Sequence, residues 1–323
     1  MYKISTSPHI NSDQTTQSIM LNMIIAMLPA VLVSLLMFGL NAFIVLLTAV
    51  ASCVAFEYFF SRRLGLGNTT HDLSAVITGI LLALNLPSTM PVWMVIVGSF
   101  MAIVVAKMAF GGIGKNIFNP ALVGRVFLFI SFPVQMTTWA KPRLFEFFYI
   151  DAGTSATPLS VLKHLENSNE LFEQFGSYMN MFIGHTGGSL GETSALAIFI
   201  GFVWLLYKKV ISWHIPVIFV GSFAVCIILT EAVTGAAKFD VLAHILSGGL
   251  MLGAVFMATD YTTSPMTLHG KIIFAIGCGV LTYIIRVFGS YPEGVSFAIL
   301  IMNAFVPLID KYVPHHVYGL GKK

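Results

Sequence analysis

Charge is what this sequence lacks most. Of its 323 residues only 17 are Lys or Arg and 14 are Asp or Glu, 10% in all, against 57% that are hydrophobic. So little charge cannot coat a water-soluble particle of this size, and the mean hydropathy of +0.86 agrees. A soluble globular protein is excluded. A basic stripe is also missing: the net charge is +3, thinly spread, which excludes a nucleic-acid binder. Cysteine is scarce too. Cys53, Cys226 and Cys278 lie far apart inside apolar runs, without CxxC or metal-ligand spacing, and read as small core hydrophobes. Neither His71 nor His244 has an HExxH or paired-ligand context. No GxGxxG follows a strand-like run, so nothing here cradles NAD. The first eighteen residues hold Lys3 as their only basic residue and lack a small-residue cleavage site, which predicts a retained tail.

What is present is apolar sequence in blocks long enough to cross a bilayer. Spans are predicted at 18–39, 41–60, 73–87, 91–110 and 117–133, then at 193–208, 214–235, 241–258, 272–288 and 295–310. The chain thus divides into a tail (1–18), five spans (19–133), a polar segment (134–191), five more spans (192–310) and a C-terminal tail (311–323). Ten crossings put both termini on one side. Basic residues are retained in the cytoplasm, and with the termini inside, the inner loops hold Lys3, Arg62, Arg63, Lys115, Lys208, Lys209, Lys271, Lys311, Lys322 and Lys323. The outer segments hold only Lys141, Arg143, Lys163 and Lys238. The segment 134–191 is therefore expected outside.

The third span is short, from Asp72 to Leu86, and the fifth follows the glycine turn Gly111-Gly112-Ile113-Gly114-Lys115-Asn116. Short or glycine-interrupted spans in corresponding places of two halves mark a duplicated fold with a midplane site. In the second half, Phe239-Asp240-Val241-Leu242-Ala243 echoes His71-Asp72-Leu73-Ser74-Ala75, and Gly294 to Leu300 sits where Asn116 to Leu122 sits earlier. With five spans each, the halves are expected to be inverted relative to one another.

The most informative polar stretch is Asp151-Ala152-Gly153-Thr154-Ser155-Ala156-Thr157-Pro158-Leu159-Ser160. Its small residues and turn formers predict an accessible Thr157 hydroxyl. By composition alone it is an ordinary loop. The tetrad Thr154-Ser155-Ala156-Thr157 resembles the [ST]-x-A-T flavinylation motif of the B subunit of sodium-translocating NADH:quinone oxidoreductase and the D subunit of Rnf-type electron transport complexes. The likeness runs over nearly the whole chain. It includes Asp72 to Gly79, Gly111 to Ala121 and Ala258-Thr259-Asp260-Tyr261-Thr262-Thr263-Ser264-Pro265, in the family's order. The long N-terminal extension of the quinone-reductase subunit is missing, so the Rnf-type relative is the nearer match. One departure is Ser155, where many relatives have glycine.

The resemblance implies an all-α polytopic membrane protein, ten helices in two inverted five-helix repeats, similar to urea and ammonium channels. It implies FMN joined through its phosphate to Thr157, attached by a separate flavin transferase on the outer face, and a second, non-covalent flavin such as riboflavin between helices. The implied setting is the bacterial cytoplasmic (inner) membrane, with the flavin loop extracytoplasmic. Implied partners are the other integral and peripheral Rnf subunits, among them a periplasmically exposed subunit with its own threonine-linked FMN. Together they move electrons between ferredoxin and NAD and couple this to Na⁺ or H⁺ translocation. Two rivals stand beside this reading: the B-type subunit of the quinone reductase, and a solute channel without redox chemistry, which leaves Thr157 without a role.

The remaining polar residues within spans are read individually. An arginine at the bilayer centre costs about 2.5–3.5 kcal/mol on insertion scales. Arg286 is expected to snorkel toward an interface, whereas Arg125, close after Asn116-Ile117-Phe118-Asn119-Pro120, is a candidate to stabilise an anionic flavin or its phosphate. Glu57 and Glu231 sit near span ends, where interfacial solvation is expected. Asn116, Asn119 and Asn303 offer amides for flavin edges or for stitching helices together. Asp72 is expected to cap the short third span.

Overall fold

The computed structural model describes residues 15–65, 69–144, 157–164, 177–234, 240–289 and 293–313. Helix is the dominant element, and the described residues contain no strand. The first apolar run forms α1 (Thr16–Arg63), interrupted at Gly39, whose φ of 57° and ψ of −134° lie outside the helical region. Only glycine takes such angles readily, so the break falls where the sequence divides its first two spans. Next come α2 (Ser74–Leu84), α3 (Val92–Phe100) and α4 (Pro120–Ser131), with α3 continuing through a π turn at Met101–Val105. The polar region contributes α5 (Pro158–His164) and α6 (Tyr178–Ile183). The second half supplies α7 (Ala195–Tyr207), α8 (His214–Thr234), α9 (Val241–Leu246), α10 (Leu268–Phe288) and α11 (Val295–Tyr312).

Five helical stretches are long and apolar enough to cross a membrane: Thr16–Arg63, Val92–Phe110, His214–Val233, Leu268–Phe288 and Val295–Tyr312. Shorter apolar helices at Ser74–Leu84, Pro120–Ser131 and Ala195–Tyr207 fall on predicted spans as well. Packing between them is close. A Cβ on Gly79 of α2 would lie 2.7 Å from the Val50 Cα of α1, so only a hydrogen fits between the two backbones. Such small-residue contacts are how helices associate where lipid is as apolar as any side chain.

The predicted span 241–258 is broken. After α9 the chain turns at Ser247-Gly248-Gly249, resumes briefly at Leu250–Leu252, and passes into a second π turn at Gly253–Met257. Non-helical backbone at membrane depth survives only where protein covers it. Here the residues from Thr186 to Ser194 pack into the body, all buried, and the Gly191 N–H donates to the Leu84 carbonyl at 2.7 Å while Leu190 N–H donates to Leu86 at 3.1 Å. The end of the polar segment expected outside is thus built into the helical body.

Candidate functional site

Two buried polar centres lie along α2 and α4. The first adjoins an open cavity with about 750 Å³ of space free of protein atoms, open mouth included. Its apolar wall includes Met20, Met23, Leu81 and Phe256, and its polar groups include Ser74, Lys107, Asn116, Asn119, Asp260 and Thr262. The sequence explains how these arrive together. Asn119 precedes Pro120 at the head of α4, and its carboxamide oxygen accepts from the backbone N–H of Ala121 at 3.1 Å and Leu122 at 3.4 Å, a helix cap with proline at the first position. Its Nδ2 donates to the carbonyl of Met257, in the second π turn, at 3.2 Å. Asn116 Nδ2 donates to Thr262 Oγ1 at 3.0 Å, and Thr262 in turn donates to Asp260 at 3.1 Å. The two signatures at 111–121 and 258–265, distant in sequence, are therefore one wall. With its amide turned to suit its neighbours, Asn303 donates to the Thr263 carbonyl and accepts from Asn119 N–H at 3.2 Å. Burial pushes the Asp260 carboxyl up, while bonds from Thr262 and Thr263 pull it down.

Lys107 enters this wall just past the first π turn. Its ammonium donates to Glu57 Oε2 and to Ser74 Oγ, each at 2.6 Å, with 3% of the lysine side chain and none of the glutamate exposed. Thr69 Oγ1 also donates to Glu57, at 2.9 Å. The expectation that Glu57 is solvated near an interface is overturned, because a fully buried carboxylate is tolerable only with such partners. The cap expected at Asp72 falls instead at Leu73, without a side-chain cap bond, because Asp72 is taken up in the turn Thr70–Asp72; its Oδ1 accepts from Ser74 N–H at 3.3 Å and Ser74 Oγ at 2.8 Å. Leu73 between them holds a left-handed φ of 62°, uncommon for a bulky residue and characteristic of constrained sites.

The second centre begins six residues further along α4, a rise of about 9 Å. Arg125 is buried and both terminal nitrogens of its guanidinium are engaged: Nη1 donates to Asn85 Oδ1 at 2.8 Å and Ser296 Oγ at 2.9 Å, and Nη2 to Glu192 Oε1 at 3.2 Å and to Glu293 Oε2. Asn85, the residue that ends α2, uses its Nδ2 on the Leu81 carbonyl at 2.6 Å. Burial and the nearby Glu192 push the Glu293 carboxyl up to about 7, against the pull of Arg125 and Arg286. Neither glutamate is singled out by sequence, nor is Lys107. Each sits at the edge of an apolar run without motif, and its partner is 50 to 168 residues away.

Arg286 does not snorkel as expected. It is buried, with Nη1 donating to the His244 carbonyl at 2.7 Å, Nη2 to the Ser247 carbonyl at 3.4 Å, and its Cζ 5.1 Å from the Phe223 ring centroid. The broken span supplies those carbonyls, which an unbroken helix would have spent on itself.

Thr157 is the first described residue after 145–156, so Thr154, Ser155 and Ala156 lie outside the described residues. The structure corrects the expectation of an accessible hydroxyl on an open loop. Thr157 is 7% exposed, and its Oγ1 accepts from Ser160 N–H at 3.1 Å at the head of α5. That N–H reaches the oxygen through which an ester would be formed.

Helices with close backbone approaches, a broken span and buried ionised clusters define an integral membrane protein with polar centres in its interior. The chain belongs to the NQR2, RnfD, RnfE family, whose model matches residues 3–319. It is 44% identical over 323 residues to the D subunit of the proton-translocating ferredoxin:NAD(+) oxidoreductase complex of Clostridium ljungdahlii, covering 99% of this chain and 96% of that protein. It is 45% identical over 321 residues to the Na(+)-translocating counterpart of Acetobacterium woodii, with the same coverage. The D subunit of the ion-translocating oxidoreductase complex of Citrobacter koseri is 37% identical over 348 residues, covering 99% of each chain.

Proposed function

We propose that this chain is the integral flavin-carrying subunit of an Rnf-type complex, linking electron transfer between ferredoxin and NAD to ion translocation. The observation that carries the reading is Thr157, the last residue of the flavinylation tetrad, at the head of α5 in a member of this family. FMN esterified there supplies one- and two-electron transfer, and the protein supplies position and environment. Capping by Thr157 fixes the attachment atom against α5, so the carrier is held at high effective concentration in one place. The polar cavity is proposed for the second, non-covalent flavin. Asn116, Asn119 and Thr262 present amide and hydroxyl groups to a heterocycle edge, Phe256 and Leu81 cover apolar ring surface, and Lys107 holds a positive charge beside it.

The subunit is proposed to sit in the bacterial cytoplasmic membrane with both termini and the cavity end inside and α5 outside. Ten crossings in two inverted halves and the channel-like architecture belong to this proposal. So do the partners: the other Rnf subunits, the exposed FMN-bearing subunit and the flavin transferase. The relatives at 44% and 45% identity are named for different ions, H⁺ and Na⁺, so the proposal covers both. Its test is the assembled complex carrying Thr157→Ala. Ferredoxin-dependent NAD reduction is expected to fall to background, because a required carrier is removed from its path. Activity retained in an assembled complex would contradict the proposal.

A further inference from the structure

The pair of Lys107 and Glu57 is not a closed unit. Lys107 Nζ donates to Ser74 Oγ at 2.6 Å, and Ser74 Oγ donates onward to Asp72 Oδ1 at 2.8 Å. Lys107 and Ser74 are buried and line the polar cavity, whereas Asp72 is only half-buried. A continuous run of hydrogen bonds therefore leads from a carboxylate within reach of water to the cavity wall. Each link lies within the about 2.6–3.2 Å over which a proton is passed. An ammonium has three N–H donors, and Glu57 and Ser74 take two, which leaves one for the cavity that Lys107 lines. Other titratable groups act on this run. The Cys53 thiol on α1 feels both members of the pair, the Asp260 carboxyl on the cavity wall feels the charge of Lys107, and the exposed His71 adjoins Asp72.

We infer that Asp72, Ser74 and Lys107 form a proton relay into the cavity, with Lys107 delivering the proton to a ring nitrogen of the flavin proposed to bind there. This rests on the flavin reading of the cavity. An electron placed on a heterocycle inside a membrane leaves a charge that is costly to bury, and a proton arriving with it removes that cost. In the step, one electron enters the ring from the transfer path as Lys107 gives up one N–H proton to a ring nitrogen, so the charge on the ring is unchanged. The lysine amine then takes the Ser74 hydroxyl proton, and Ser74 takes one from Asp72, itself protonated from water. Glu57 sets the direction. Facing a neutral amine it is a buried, uncompensated carboxylate, and that cost draws the next proton inward.

The test uses the full chain in detergent, made without flavin transferase so that no covalent FMN contributes, and loaded with riboflavin, whose fluorescence reports binding. One equivalent of reduced methyl viologen, a one-electron donor that carries no proton, is mixed with it in unbuffered solution containing a pH-indicator dye. The wild type is expected to take up one proton per electron. Asp72→Asn is expected to bind riboflavin as the wild type does and to take up the proton about 100-fold more slowly, the lower end of what a positioned acid contributes, with formate restoring the rate. Asp72→Glu, which keeps the carboxyl, is expected to keep most of the rate. Ser74→Ala breaks the run one link further in while leaving the Lys107–Glu57 contact, and is expected to slow uptake equally; it carries the test if Asp72→Asn does not fold. Slowing by less than about tenfold in either folded variant would overturn the relay and leave the flavin in place. Riboflavin reduced in the wild type with no proton taken up would do the same. A wild type that does not bind riboflavin would remove the flavin reading of the cavity, and the relay with it.

Discussion

Single residues carry charges here that water would ordinarily solvate. Lys107 and Glu57 are paired at 2.6 Å with both side chains buried, and removing one partner of such a pair costs about 3–5 kcal/mol. Lys107→Met should therefore lower the melting temperature of the purified chain sharply, and adding Glu57→Leu should recover much of it. A double variant no better than the single would show that the pair is not coupled. Glu293 gives a pH signature. Its folded value is raised from 4.5 to about 7, chiefly by burial, so its contribution to stability is full at low pH and lost as pH climbs through about 7. The melting temperature of the wild type relative to Glu293→Gln should fall between about pH 5 and about pH 8, and a flat difference would contradict the shift. These residues also show where sequence reading stops. Thr157 is legible because its neighbours form a short local motif. Lys107, Glu192 and Glu293 are not, because their meaning lies in partners that only the fold brings near.

Among the elements, two local rules can be tested separately. Asn119 caps α4 with its side chain and holds the second π turn with its amide, so Asn119→Ala should cost about 1 kcal/mol for the cap and more for the lost tertiary bond. Asn119→Asp keeps the cap and loses the donor, and should fall between the two in thermal stability. Gly79→Leu should be worse than either. Its side chain would meet the α1 backbone, which cannot rotate away, and overpacking of this kind costs about 1–3 kcal/mol or more. Wild-type yield and melting temperature in Gly79→Leu would show that α1 and α2 do not approach as described. The elements themselves are largely readable, since apolar runs separated by Gly, Pro and Asn mark where helices start and stop. The glycine break in α1 follows from local chemistry. The fate of Arg286 does not. It depends on α9 breaking at Ser247-Gly248-Gly249 and turning its free carbonyls inward, and a hydropathy run passes over that break unchanged.

For the molecule as a whole, composition alone indicates the membrane class, and the order of motifs indicates the family. What neither indicates is depth. The end of the polar segment, expected outside, is threaded into the body, where it bonds to the end of α2 and brings Glu192 to Arg125. Two polar centres are thereby stacked along the same pair of helices, with Asn85 between the cavity wall at Leu81 and the guanidinium of Arg125. That arrangement suits a subunit that must hold charge inside a membrane without exposing it to lipid. The proposed function turns on a flavin covalently carried at Thr157. What decides it is the intact mass and peptide map of the denatured wild-type chain, co-produced with flavin transferase, beside Thr157→Ala. One FMN is expected on the peptide containing Thr157 and none on the variant. An unmodified wild-type peptide, with the transferase verified on another substrate, or a label that persists in Thr157→Ala, would contradict it.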